Sequence, residues 1–174
     1  MIEMRDAMRA LLRHRGEDVV LATETSIYAW FDVIDDEAMD LPISTMSKGS
    51  SVALGMALAQ PHRRVIVWDG DGCVLMNLGS LVTIAGKAPS NLYHIVLDNG
   101  MYAMTGGQPV PNAGDVSYTE LARSAGYAKT FEFDNIEDWS TTIGKVLNEK
   151  GPVLIVMKTL PEITDWRVSP PGPV

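Results

Sequence analysis

The stretch Val65-Ile66-Val67-Trp68-Asp69-Gly70-Asp71-Gly72-Cys73 decides how this chain folds. Its first four residues are apolar at every position, which is how a strand reads when both faces of its sheet are covered. The run then breaks at Asp69-Gly70-Asp71-Gly72, and a helical pattern follows over residues 75–86. A carboxylate flanked by glycines at a strand-to-helix junction lets a ligand approach the backbone closely, and free helix N–H groups there suit a phosphate. A carboxylate aimed at a phosphate needs a cation between them.

Working outward, the same alternation recurs. Short β-branched runs at 19–22, 92–97, 130–133 and 153–157 read as strands, and the patterns at 3–14, 50–59, 118–125 and 136–149 read as helices. Ser117 and Asn135 stand where N-caps belong, and Gly16 and Gly151 where helices stop. Alternating strands and helices imply βα units on a parallel sheet, hence an α/β layered domain over residues 1–160 with a proline-rich tail at 161–174. With 174 residues, 46% of them hydrophobic, the chain is long enough to bury a core without staples.

The charge balance narrows the function. Fourteen Lys and Arg against 22 Asp and Glu give a net charge of −8, which argues against a nucleic-acid or anionic-membrane surface. Any anionic ligand must therefore be held locally. A single cysteine, Cys73, excludes a disulfide framework and suits a reducing interior. Residues 1–16 are too charged for a signal-peptide core and no later stretch is apolar enough to span a bilayer, so a cytoplasmic location is expected.

The strand at 92–97 runs into Asp98-Asn99-Gly100-Met101, and Asn99 lies 28 positions after Asp71. One βαβ step sets the carboxyl ends of neighbouring strands side by side. The Asp71 carboxylate, the Asn99 amide oxygen and nearby carbonyls could then offer hard oxygen ligands to one Mg²⁺. Each turn alone reads equally as an ordinary tight turn. An EF-hand loop beginning at Asp69 fails, because its twelfth position is Ser80 rather than glutamate. Two long connections, 35–48 and 99–115, are expected as loops, and the second begins where open parallel sheets bind ligands. His14, His62 and His94 are too dispersed for a metal cluster, and His94 reads as a hydrogen-bonded core residue. Glu132, Asp134, Glu137 and Asp138 read as a solvated face.

The motif Gly70-Asp71-Gly72 followed by Asp98-Asn99 resembles the diphosphate-binding domain of the thiamine-diphosphate-dependent enzymes, in a stretch covering roughly residues 19–157. The resemblance implies a three-layer α/β/α fold with a mostly parallel, doubly wound central sheet. It implies that Asp71, Asn99 and the Met101 carbonyl bind Mg²⁺, and that the backbone at Gly70, Gly72 and Cys73 holds the diphosphate, with Thr25 and Met104 beside the cofactor. It places Met46, counted among the catalytic residues, as the bulky residue between the two cofactor rings, and the Ser44 carbonyl as the acceptor of the pyrimidine amino group. Ser44 and Ser47 stand where the family has glycine, and Asp98 where it has the first asparagine of a pair.

Within the family, residues 75–81 and the loop Tyr102-Ala103-Met104-Thr105-Gly106-Gly107-Gln108 look most like the decarboxylases of sulfopyruvate and phosphonopyruvate. In that reading Thr105 is catalytic, and Thr105, Gly106, Gly107 and Gln108 face a sulfonate or phosphonate through neutral donors and backbone amides. A flexible solvent loop is the plainer reading of the same residues. The family's activating glutamate belongs to a separate pyrimidine-binding domain. The resemblance therefore implies a β-type subunit completed by an α subunit, in an α2β2 or larger assembly. A carboligase acting on another 2-oxo acid and a non-catalytic cofactor-binding subunit remain open.

Overall fold

A computed structural model describes residues 1–35 and 39–163. After α1 (Met4–Leu12) come β1 (Val19–Thr23), α2 (Thr25–Phe31), β2 (Asp40–Ile43), α3 (Gly49–Ala59) and β3 (Val65–Gly70). The chain continues through α4 (Asp71–Met76), α5 (Gly79–Lys87), β4 (Leu92–Asp98) and a hairpin of β5 (Met101–Tyr102) and β6 (Gln108–Pro109). It ends with α6 (Tyr118–Ala125), β7 (Lys129–Phe133), α7 (Ile136–Val146) and β8 (Val153–Lys158).

Six strands form one sheet in the order β2-β1-β3-β4-β8-β7, parallel throughout. Side-chain alternation sorts the sheet into two cores. Ile66 and Trp68 of β3, with Tyr93, Ile95 and Leu97 of β4, meet α1, α2 and α7. Val65, Val67, Leu92 and Val96 face the other way, against α3, α5 and α6. Each such side chain contributes about 1.5–3 kcal/mol by leaving water. The result is the expected three-layer sandwich, and it explains why these strands read as unbroken apolar runs. No helix among the described residues is long and apolar enough to cross a membrane.

Two helices begin as the sequence suggests. Ser117 Oγ accepts the Glu120 N–H at 3.3 Å, and Asn135 Oδ1 accepts the Asp138 N–H at 2.9 Å. Elsewhere the structure corrects the expectation. The helix expected over 75–86 is two, α4 and α5, because Asn77 turns its amide onto the Ser47 carbonyl at 3.0 Å and Ser51 Oγ at 3.2 Å. The connection 35–48 contains edge strand β2, paired with β1 through Val20 to Thr23; its residues 36–38 lie outside the described chain. Helix α2 was not legible. The connection 99–115 holds the β5–β6 hairpin and a 3₁₀ turn over Ala103–Thr105. Helices expected at 3–14 and 136–149 end earlier, at Leu12 and Val146. Of the proline-rich tail, residues 164–174 lie outside the described chain.

The winding reverses at β1. From it the chain reaches β2 on one side and then β3 on the other, so a crevice opens beyond the carboxyl ends of β1 and β3, where parallel sheets bind ligands.

Candidate functional site

A hydrogen-bond network locks the two strand ends that flank this crevice. The Thr23 hydroxyl donates to the Trp68 carbonyl at 3.0 Å and lies 3.3 Å from Asp69 Oδ1, and the Ser26 hydroxyl donates to the Thr23 carbonyl at 2.6 Å. Asp69 is buried; its Oδ1 accepts the Gly70 N–H and its Oδ2 lies 3.2 Å from His94 Nε2. His94 Nδ1 lies 3.2 Å from the Tyr127 hydroxyl, so this histidine is the bonded core residue the sequence suggested. Helix α3 packs tightly above: a Cβ on Gly49 would stand 2.3 Å from Thr23 Cγ2.

Asp71 opens α4 and is 1% exposed. Its Oδ1 accepts the Gly72 N–H at 2.8 Å and its Oδ2 the Gly100 N–H at 2.7 Å. Burial pushes its pKa up to about 6, helped by the negative charge of Asp98, while the two N–H groups pull it down. Asn99 Oδ1 accepts the Met101 N–H at 3.0 Å, an Asx turn that fixes the carboxamide at the end of β4. Asp98 is held by Lys158 Nζ at 2.6 Å.

One cavity collects most of the residues singled out in the sequence. Thr25 enters it after β1, Met46 before α3, and Gly70, Asp71, Gly72 and Cys73 from the β3–α4 turn. Asn99, Met101 and Met104 close it from the turn beyond β4. At Gly70 a Cβ would find nothing within 4 Å, so the missing side chain is cavity space. At Gly72 a Cβ would stand 2.4 Å from Tyr102 Cε1, so glycine lets that ring close the wall. Cys73 is buried and burial, with Asp69 nearby, pushes its thiol up to about 12. It remains a neutral thiol rather than a nucleophile.

Ser44 is exposed and lies off the cavity. Ser47, at φ +65°, occupies the left-handed region that favours glycine. Thr105, Gly106, Gly107 and Gln108 also lie off the cavity. Thr105 Oγ1 donates to Gln108 Oε1 and Gln108 Nε2 to the Thr105 carbonyl, both at 2.8 Å, so their polar groups serve each other. Sequence reasoning missed Glu24, Tyr102 and Met4 on the cavity wall. The signal available for Glu24 was its place just beyond the apolar run at 19–22.

The residues present fit a diphosphate with its divalent cation. The wall offers a carboxylate and a carboxamide in adjacent turns and an open glycine cradle, with no Lys, Arg or His among its described residues. Among the described residues no cluster of three or more His, Cys, Asp and Glu exists to hold a metal, so a cation here would need amide, carbonyl and phosphate oxygens beside the Asp71 carboxylate.

A doubly wound sheet with this cavity at its switch point defines a cofactor-binding α/β domain. The chain belongs to the family described as thiamine pyrophosphate enzyme, C-terminal TPP binding domain, which it matches over residues 28–157. It is 35% identical to phosphonopyruvate decarboxylase of Streptomyces viridochromogenes over 94% of this chain and 41% of that protein. It is 32% identical to sulfopyruvate decarboxylase subunit beta of Methanocaldococcus jannaschii over 90% of this chain and 83% of that subunit. The chain thus spans about two fifths of the first relative and most of the second. The fold also matches the 4-hydroxybenzoylformate decarboxylase of Rhodococcus jostii RHA1, with a TM-score of 0.78 at 20% identity over 94% of this chain and 33% of that one.

Proposed function

We propose that this chain is the diphosphate-binding, β-type subunit of a thiamine-diphosphate- and Mg²⁺-dependent 2-oxo acid decarboxylase acting on sulfopyruvate or phosphonopyruvate. The observation that carries the reading is the match, over 90% of this chain and 83% of that one, to a protein named as the beta subunit of such an enzyme. The switch-point cavity supports it, since its carboxylate and carboxamide suit Mg²⁺ and its glycine turn suits a diphosphate.

In this reading Asp71, Asn99 and the Met101 carbonyl hold the cation. Gly70, Gly72 and Cys73 hold the diphosphate through backbone, with Thr25 and Met104 alongside. Met46 shapes the bound cofactor, and the Ser44 carbonyl is the acceptor for a pyrimidine amino group. Thiamine diphosphate, when bound, supplies a carbon nucleophile for the keto group and accepts the electrons released with CO₂. Thr105, Gly106, Gly107 and Gln108 receive the sulfonate or phosphonate once their mutual bonds open. An α subunit brings the pyrimidine-binding domain with its activating glutamate, in an α2β2 or larger cytoplasmic assembly.

Co-expression with a pyrimidine-domain partner tests this. The pair, given cofactor and Mg²⁺, should release CO₂ from sulfopyruvate or phosphonopyruvate at about 1–10 per second, and this chain alone should not. Turnover by the isolated chain overturns the split-subunit reading. A carboligase is the second reading, favoured by 26% identity to acetolactate synthase isozyme 1 large subunit of Escherichia coli over 75% of this chain and 25% of that one. A coupled 2-hydroxy-3-oxo acid instead of an aldehyde product would select it.

A further inference from the structure

Glu24 is the residue of the cavity wall whose presence the chain itself does not explain. It follows β1 directly at the switch point and lines the cavity with Asp71 and Met46. Its Oε1 is buried without a hydrogen-bond partner. Its backbone stands at φ +49° and ψ −124°, a conformation that glycine adopts freely and a residue with a Cβ only under strain. Backbone strain and an unsatisfied buried oxygen coincide on one residue, and such coincidences mark groups whose partner is a ligand.

The charge around it defines what that ligand group can be. The ionisable neighbours are Asp69 at the end of β3, Asp71 and Cys73 on α4, and Tyr102 on β5. From α1 the wall receives Met4, while Arg5 is engaged by Asp32 and Glu162. No cation of the described chain therefore compensates a carboxylate at Glu24, and the diphosphate oxygens turned away from the Mg²⁺ would face it with further negative charge. A carboxyl that keeps its proton removes the repulsion and becomes a donor, and O–H···O⁻ bonds of this kind are short and strong.

We propose that Glu24 binds the ligand directly, donating a hydrogen bond from its neutral carboxyl to an anionic oxygen of the diphosphate. Burial and the negative charge of Asp69 push its pKa up to about 7, so the proton is available near neutrality. The proposal rests on the thiamine diphosphate reading above.

Calorimetric titration of thiamine diphosphate with saturating Mg²⁺ into the full chain with its partner subunit tests it. The proteins compared are the wild type, Glu24→Gln, which donates without titrating, and Glu24→Gly, which removes the group and the strain. In buffers of different ionisation heat at pH 8, the wild type takes up close to one proton more than Glu24→Gln. Its affinity also falls about tenfold more than that of Glu24→Gln between pH 6 and pH 8. Glu24→Gly binds the diphosphate about tenfold more weakly than the wild type at pH 6, yet binds thiamine lacking phosphate equally well. Equal proton uptake by wild type and Glu24→Gln overturns the proposal, as does a Glu24→Gln as weak as Glu24→Gly, which would mean the carboxyl acts as an anion. Binding by none of the three overturns the cofactor reading and this proposal together.

Discussion

Asp71 Oδ2 accepts the backbone N–H of Gly100 at 2.7 Å, so the turn that ends β3 is fastened to the turn that ends β4. The same carboxylate also accepts the Gly72 N–H at 2.8 Å, which leaves its remaining lone pairs directed by two fixed bonds. A carboxylate oriented in this way is a prepared ligand, because the cost of ordering it is met in folding rather than in binding.

Asp71→Ala should abolish Mg²⁺-dependent binding of thiamine diphosphate, read by calorimetry, with far-ultraviolet circular dichroism unchanged. Two N–H groups lose their acceptor, so unfolding free energy should fall by about 1–3 kcal/mol in urea. Unchanged cofactor affinity would remove Asp71 from the metal site.

Gly72→Ala should act through Tyr102. The added Cβ would stand 2.4 Å from Tyr102 Cε1, and the ring must leave the cavity wall. A loss of about 1–3 kcal/mol is expected, together with weaker cofactor binding. Gly72→Ala in a Tyr102→Ala background should cost less than Gly72→Ala alone, and strict additivity in that double-mutant cycle would refute the contact.

Tyr127→Phe tests the buried chain behind the site. Its hydroxyl lies 3.2 Å from His94 Nδ1, and His94 in turn meets Asp69. Loss of one buried bond should lower stability by about 0.5–1.5 kcal/mol. Asp69 keeps its bonds to Thr23 and Gly70, so cofactor affinity should stay within about twofold, as measured by titration.

The cofactor-free chain should lose thermal stability as pH rises from about 5 to 7. The folded pKa of Glu24 is raised from 4.5 to about 7, so its protonated form is favoured by folding. The stability this provides is fully present below the unfolded value and is lost as pH rises through the folded one. Glu24→Gln should flatten that part of the profile in scanning calorimetry, and an unaltered slope would show that Glu24 does not titrate there.

Much of the site was legible because its residues follow strands. Gly70-Asp71-Gly72 and Asn99 come immediately after apolar runs, and in a parallel sheet that adjacency in sequence becomes adjacency in space. Glu24 also follows a strand, but what singles it out does not show in the sequence: its strain lies in a φ angle and its missing partner in the burial of one oxygen, neither of which a residue type encodes. Asn77 broke an expected helix for a similar reason, since its amide bonds a carbonyl thirty positions away. The Thr105 and Gln108 pair was readable as a polar loop, but not that each would satisfy the other.

The sequence by itself determined the α/β class, five of the six strands of the main sheet and the turns that carry Gly70-Asp71-Gly72 and Asn99, because periodicity and turn composition are local properties. The tertiary structure alone decided the strand order, the edge position of β2, the reversal at β1 that opens the cavity, and the bond that joins Asp71 to Gly100. Those depend on which strands pair and how tightly helices settle on them, and pairing energy is shared among residues far apart in the chain.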